Sequence, residues 1–316
     1  MNMDDSSTEA PLELTAFQAS VERCIGMLNG RVKHCGRSSH RHLRCAWMLR
    51  RSAPELAAFC MITAEEEAAT AVILALKSKQ YSGSEKLSHK SHPHKLSLTP
   101  FLRAISDVLE HLDYAMPEIH IQEGQNEYKV VLRLDANKLA GVVSDVPKFV
   151  EPVPALNFAI SDQSGPLDFT AKFSEFAKFK GFHKVMEFIS NEANFRNKLL
   201  YAHDDGIAYV EFPAGFFERR IQRVTNLFIL TLLIAQSSEK QLFVTQCLDA
   251  LLQIHKKIDA TQFEFEPRND GPLLSVERLR GTDPVVTYTN RWRTNIDFSC
   301  IWSPSWKVER FWMKAL

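Results

Sequence analysis

Long apolar runs are missing from this 316-residue chain: the longest, Leu227 to Ala235, has nine residues. A bilayer needs about 20, so a buried core helix is the better reading of that run, and no membrane association is expected. The N-terminal stretch MNMDDSSTEAPLEL has neither a basic region nor an apolar one behind it, so a secretory leader is not expected either. The six cysteines, Cys24, Cys35, Cys45, Cys60, Cys247 and Cys300, form no CxxC pair; they read as reduced thiols of a cytoplasmic protein. Net charge is also absent, with Lys plus Arg and Asp plus Glu at 38 each. Affinity for nucleic acid would have to come from a local patch. No Walker loop, GxGxxG, HExxH, GxSxG or kinase signature occurs, so nucleotide-dependent, zinc-protease and serine-hydrolase chemistry lack support.

What is present is mostly helical patterning. Residues 1–11 read as disordered. Leu14, Phe17, Val21, Cys24, Ile25 and Leu28 recur at helical spacing. Residues 29–40, basic and containing Gly and Ser, suggest a loop, with a second helix from His40 to Arg51. Pro54 to Lys79 is the clearest helix: Pro54 suits its first turn and Ala, Leu and Glu fill it. Residues 82–97 are polar and His-rich, and Leu98 to Tyr114 reads as helix. Then the period changes to two. Glu118–Gln122 and Tyr128–Leu134 look like strands around a Gly-containing turn, and Ala155–Ser161 like a third. Helices return at Leu167 to about His203, with a break near Gly181, then at Ala214–Gln236 and Lys240–Ile258. The tail from Gln262 to Trp302 is again β-like. The expected fold is mainly α, a helical domain over 12–258 with a β insertion at about 117–166, followed by a β-rich C-terminal module at 259–316.

Four constellations could carry chemistry. Arg196 and His203 are seven residues apart, which puts them on one face of a helix, about 10.5 Å apart along its axis. An Arg with a titratable His at a helix end suits metal-free RNA cleavage; an exposed Arg and a helix-ending His without a role is the plain alternative. Glu65, Glu66 and Glu67 follow one another in an apolar helix, so at least one should point inward and meet a cation. A solvated acidic face is the alternative. His89, His92 and His94 crowd one segment, but Pro93 argues against a regular helix through them and the spacings match no common zinc site. Lastly, Arg31, Lys33, Arg37, Arg41, Arg44, Arg50 and Arg51 make a local basic stretch, fit either for phosphate contacts or as a solvated face.

Two segments carry a family resemblance. CAWMLRRSAPELAAFCMITAEEEAATAVILALKSKQY, followed by HPHKLSL, resembles the first half of AbiV-type abortive-infection proteins, with their paired glutamates and short His/Lys segment. FRNKLLYAHDDGIAYVEFPAGFFERRIQRVTNLFILTLLIAQ resembles the second half. Those proteins are similar to the HEPN superfamily of helical, usually dimeric proteins, many of them metal-independent ribonucleases. The resemblance covers about half the chain, and its motifs are short. It implies a HEPN-like bundle in which Arg196, Asn197 and His203 are catalytic. It also implies that Glu65, Glu66, His94, Lys95 and Tyr201 bind RNA or support the site. The three glutamates, where two are usual, and the β segments depart from the family. The resulting expectation is an antiphage or toxin-like endoribonuclease with no metal or cofactor. Its partners would be RNA, a second copy of the chain and a phage-encoded or antitoxin protein. A non-catalytic binding module of the same fold, and a metal-dependent hydrolase built on the glutamates and histidines, remain the competing readings.

Overall fold

The computed structural model describes residues 10–110, 118–123, 127–135, 149–162, 165–199, 210–257, 285–288 and 309–310. The chain is mainly helical. Its frame is α1 (Ala16–Met27), α2 (Gly30–Leu49), α3 (Pro54–Ser78), α4 (His92–Leu96), α5 (Leu98–Glu110), α6 (Phe169–Phe179), α7 (Val185–Lys198), α8 (Phe216–Gln236) and α9 (Leu242–Ile254). The central helix is α3, packed between α2 and α8. It is buried around most of its circumference, with Ala57, Met61, Ala64, Ala68, Ile73 and Leu76 in the core. Among the described residues no helix is long and apolar enough to cross a membrane.

The start of α1 has a local cause. Thr15 caps it and Gln18 answers from the third position, so both orphan amides are satisfied reciprocally. The break near Gly181 also holds: that residue has a φ of 85° between α6 and α7, a conformation only glycine adopts without strain.

The region expected as a loop at 29–40 is helix. Residues 30–49 form one element, α2. Its small and polar residues are interface residues. A Cβ at Gly36 would come within 2.0 Å of Ile25 Cγ2, so only glycine lets α1 approach this closely. Ser39 Oγ donates to the Ala64 carbonyl of α3 at 2.7 Å. His40 donates from Nδ1 to the Gly36 carbonyl and stacks on Phe228 of α8. Composition indicated a loop because small residues serve close helix packing as well as turns.

The insertion contributes β1 (Glu118–Glu123), β2 (Tyr128–Asp135), β3 (Phe149–Val150), β4 (Phe158–Asp162) and β5 (Gly165–Pro166). Two short C-terminal strands, β6 (Val285–Tyr288) and β7 (Glu309–Arg310), join them in two antiparallel sheets ordered β3-β2-β1-β7 and β5-β4-β6. The C-terminal strands thus extend the sheets of the insertion; the rest of 259–316 lies outside the described residues. Three glutamines fasten these strands to the helices. Gln236 accepts from the Val130 amide and donates to the Val130 carbonyl. Gln246 does the same at Ile160 and also reaches the Leu167 carbonyl. Gln241 accepts from the Leu156 amide and donates to the Leu233 carbonyl. A primary amide offers one acceptor beside two donors, which matches a backbone amide and carbonyl facing the same way.

Gly36→Ala separates the packing account from helix propensity. Propensity alone would stabilise α2 by about 1 kcal/mol. Overpacking against Ile25 should instead cost about 1–3 kcal/mol in urea unfolding, and adding Ile25→Ala should make the combined loss less than additive. A stabilised Gly36→Ala variant would contradict the close approach.

Candidate functional site

Consecutive residues on an α-helix point about 100° apart, so the three glutamates of α3 reach three different neighbours. Glu65 turns to α8, where Arg220 Nη1 lies 2.6 Å from its Oε2. Burial alone would raise the Glu65 carboxyl, but Arg220, Arg223 and the Thr99 hydroxyl together hold it below the ordinary carboxylate range. Glu66 turns to α4, where Lys95 Nζ and His92 Nδ1 each lie 2.8 Å from one of its oxygens. Glu67 faces α2, where burial together with its charge beside the Cys35 thiol pushes that thiol up to about 12. The requirement that an inward glutamate meet a cation from another helix is therefore fulfilled twice. Glu65 and Glu66 are buried, while the His92 side chain keeps 44% exposure, so the cluster reaches solvent at that edge.

The segment expected to be irregular because of Pro93 folds as the short helix α4. Pro93 sits in its first turn, where a missing N–H leaves no intrahelical bond unmade. This turn points His92 and Lys95 at Glu66 and sends His94 the other way. His94 Nδ1 accepts from the Ser88 amide at 2.8 Å, and its ring lies 4.5 Å from that of His255, centroid to centroid. Ser97 donates to the His94 carbonyl, so its oxygen accepts from His255 Nε2. Burial holds both rings below their ordinary titration range, His255 down to about 4, with nearby Lys257 adding to the effect. Among the described residues no three His, Cys, Asp or Glu side chains converge as a metal site would require. Lys95, moreover, places an ammonium where a metal reading would put the ion on Glu66.

The Arg196 region meets this cluster from the side. α7 packs against α4, and Leu199, directly after α7, is buried with Ala58 and Ile62 of α3 and Leu96 of α4. Ile62 is one helical turn before Glu65 and Glu66. The backbone of Arg196 and Asn197 forms the last turn of α7; their side chains, and all of Tyr201 and His203, lie outside the described residues. The structure thus brings Glu65, Glu66 and Lys95 into one cluster and sets His94 on its far side. Arg220, Thr99 and His255 were not singled out from sequence. A signal existed for Arg220: Arg219, Arg220 and Arg223 interrupt an otherwise apolar helix, and such a cation needs an acidic partner nearby.

Glu66→Ala leaves Lys95 buried without its counter-ion and should cost about 3–5 kcal/mol in urea unfolding, whereas Glu66→Gln with Lys95→Met should recover most of that. Equal losses in the single and double variants would show that the pairing is not the source. A second prediction concerns acid. A histidine whose folded pKa is depressed protonates first in the unfolded chain, so its stabilisation is complete above the ordinary 6.5 and falls as pH drops toward 4. His255 alone accounts for roughly 3 kcal/mol at most. His255→Gln should therefore flatten the decline of stability between those pH values; an unchanged slope would assign it to other groups.

Comparison of the chain with models of known families, with curated proteins and with solved structures finds no match, so the arrangement of residues has to carry the functional reading.

Proposed function

We propose that this protein is a HEPN-like, metal-independent endoribonuclease of the antiphage or toxin-like kind, working in the cytoplasm as a homodimer. In this reading His203 takes the proton from a ribose 2′-OH or returns one to the leaving oxygen. Arg196 holds the phosphate oxygens as negative charge builds on them, and Asn197 orients the phosphate. Two protomers bring two such motifs to one groove, and a phage-encoded or antitoxin protein governs the activity.

The observation that supports this reading is the docking of Leu199 on α3 and α4. It seats the residue that follows the last turn of α7, which carries Arg196 and Asn197, against Ile62, one helical turn before Glu65 and Glu66 on α3. The carboxylates then act as positioning groups: Glu66 fixes α4 through Lys95, and Glu65 fixes α8 through Arg220. One observation favours the alternative, a non-catalytic binding module. Both buried carboxylates are already satisfied by cations of the same chain, as a purely structural network would have them.

Cleavage of RNA by purified protein in excess EDTA separates the readings. The ribonuclease reading expects cleavage that survives the chelator and falls by about 10²–10⁴-fold in His203→Ala, the usual loss on removing a positioned acid–base. Arg196→Lys should be nearly as damaging, because Lys keeps the charge without the planar fork. Absence of cleavage by the parent protein, or undiminished cleavage by His203→Ala, would overturn the reading, and loss of cleavage in EDTA would turn it toward a metal enzyme.

A further inference from the structure

The basic stretch in the sequence becomes a geometric object in α2. Its buried face carries Cys35, Gly36, Ser39, His40, Leu43 and Ala46. On the opposite side His34, Arg37, Arg41, Arg44 and Met48 are exposed. At about 100° per residue these five fall within roughly 80° of arc, and from His34 to Arg44 they run about 15 Å along the axis. Arg44 is held by Glu22 of α1 at 2.7 Å. Arg37 and Arg41 have no acidic partner among the described residues. In a chain with zero net charge, this is a concentrated row of cations on a rigid support.

We propose that the outer face of α2 is a docking tract for the sugar–phosphate backbone of single-stranded RNA, gripped chiefly by Arg37 and Arg41. The choice of RNA rests on the ribonuclease reading above; the tract itself rests on geometry. A row of cations suits a polymer of regular charge, and the roughly 10.5 Å from Arg37 to Arg44 corresponds to about three phosphates at the 3.4 Å per-strand spacing of a duplex. The cations are almost all arginine, whose planar fork takes two phosphate oxygens at once. A membrane-surface helix would need a continuous exposed apolar flank beside the cations, whereas Met48 is the one large apolar side chain of α2 exposed there and the apolar face of α2 is buried in the core. One end of α2 is also tied to the segment that runs into α4. At the N-terminal end of α2, Arg31 Nη1 lies 3.0 Å from His89 Nε2. His89 belongs to the segment that continues into α4, where His92 and Lys95 hold Glu66.

The test uses the full chain carrying His203→Ala, so that RNA is not consumed, and reads fluorescence anisotropy of a short labelled single-stranded RNA across a range of salt concentrations. Adding Arg37→Ala and Arg41→Ala should weaken binding and reduce the slope of log K against log salt by about 1.4, at about 0.7 for each phosphate no longer neutralised. Arg37→Lys with Arg41→Lys should keep that slope, since the charges remain. An unchanged slope in the alanine variant overturns the tract, as does Arg-dependent binding to polyglutamate or phosphatidylserine vesicles without binding to RNA. The two proposals fail separately. RNA binding that depends on Arg37 and Arg41, in a protein that never cleaves RNA, keeps the tract and removes the ribonuclease. EDTA-resistant cleavage dependent on His203, with binding indifferent to Arg37 and Arg41, does the reverse.

Discussion

Two carboxylates that follow one another on a buried helix cannot be neutralised from the same side. Glu65 and Glu66 of α3 point about 100° apart, and each is buried. An unpaired charge at such depth is strongly destabilising. The chain meets this constraint with two separate elements, α8 through Arg220 and α4 through Lys95 and His92. The positions of α8 and α4 around α3 are therefore specified by charge as well as by apolar packing. Glu67, a further 100° on, adds a contact to α2 through Cys35. The glutamate run acts as a three-way junction.

Around that junction, close approach is achieved by small residues and by side-chain amides. Gly36 and Ser39 let α2 lie against α1 and α3. Gln236, Gln241 and Gln246 each engage backbone groups of the insertion with good geometry. These amides, two of them buried, are satisfied pairwise, so they give the helix–sheet contact direction and register that apolar packing alone would leave loose. The insertion is in this way part of the body of the fold.

The same junction governs what the candidate site can do. The oxygens of Glu66 are already engaged, one by the Lys95 ammonium and the other by His92. Glu66 ties α4 to α3 and Glu65 ties α8 to α3, while the end of α7, seated through Leu199, packs on α3 and α4.

Elements with local signals are legible in the amino-acid sequence. The helix opened by Pro54, the break at Gly181, the strands around Glu118–Glu123 and Tyr128–Asp135, and the mainly helical class all follow from periodicity and punctuation. So does the need for an inward glutamate to meet a cation, because desolvation of a charge costs the same in any fold. Which cation answers is a matter of packing. Arg220 is 155 residues from Glu65, and no local rule links positions so far apart. Packing also made helix of residues 30–40: Gly36 and Ser39 are favourable there only because α1 and α3 lie against them, and that contact is invisible to any local window. The direction of His94, away from the glutamates and toward Ser88 and His255, was likewise fixed by one short helical turn after Pro93. Spacing within a sequence gives the angle between side chains on one helix; which neighbour stands at that angle is set by how the helices pack.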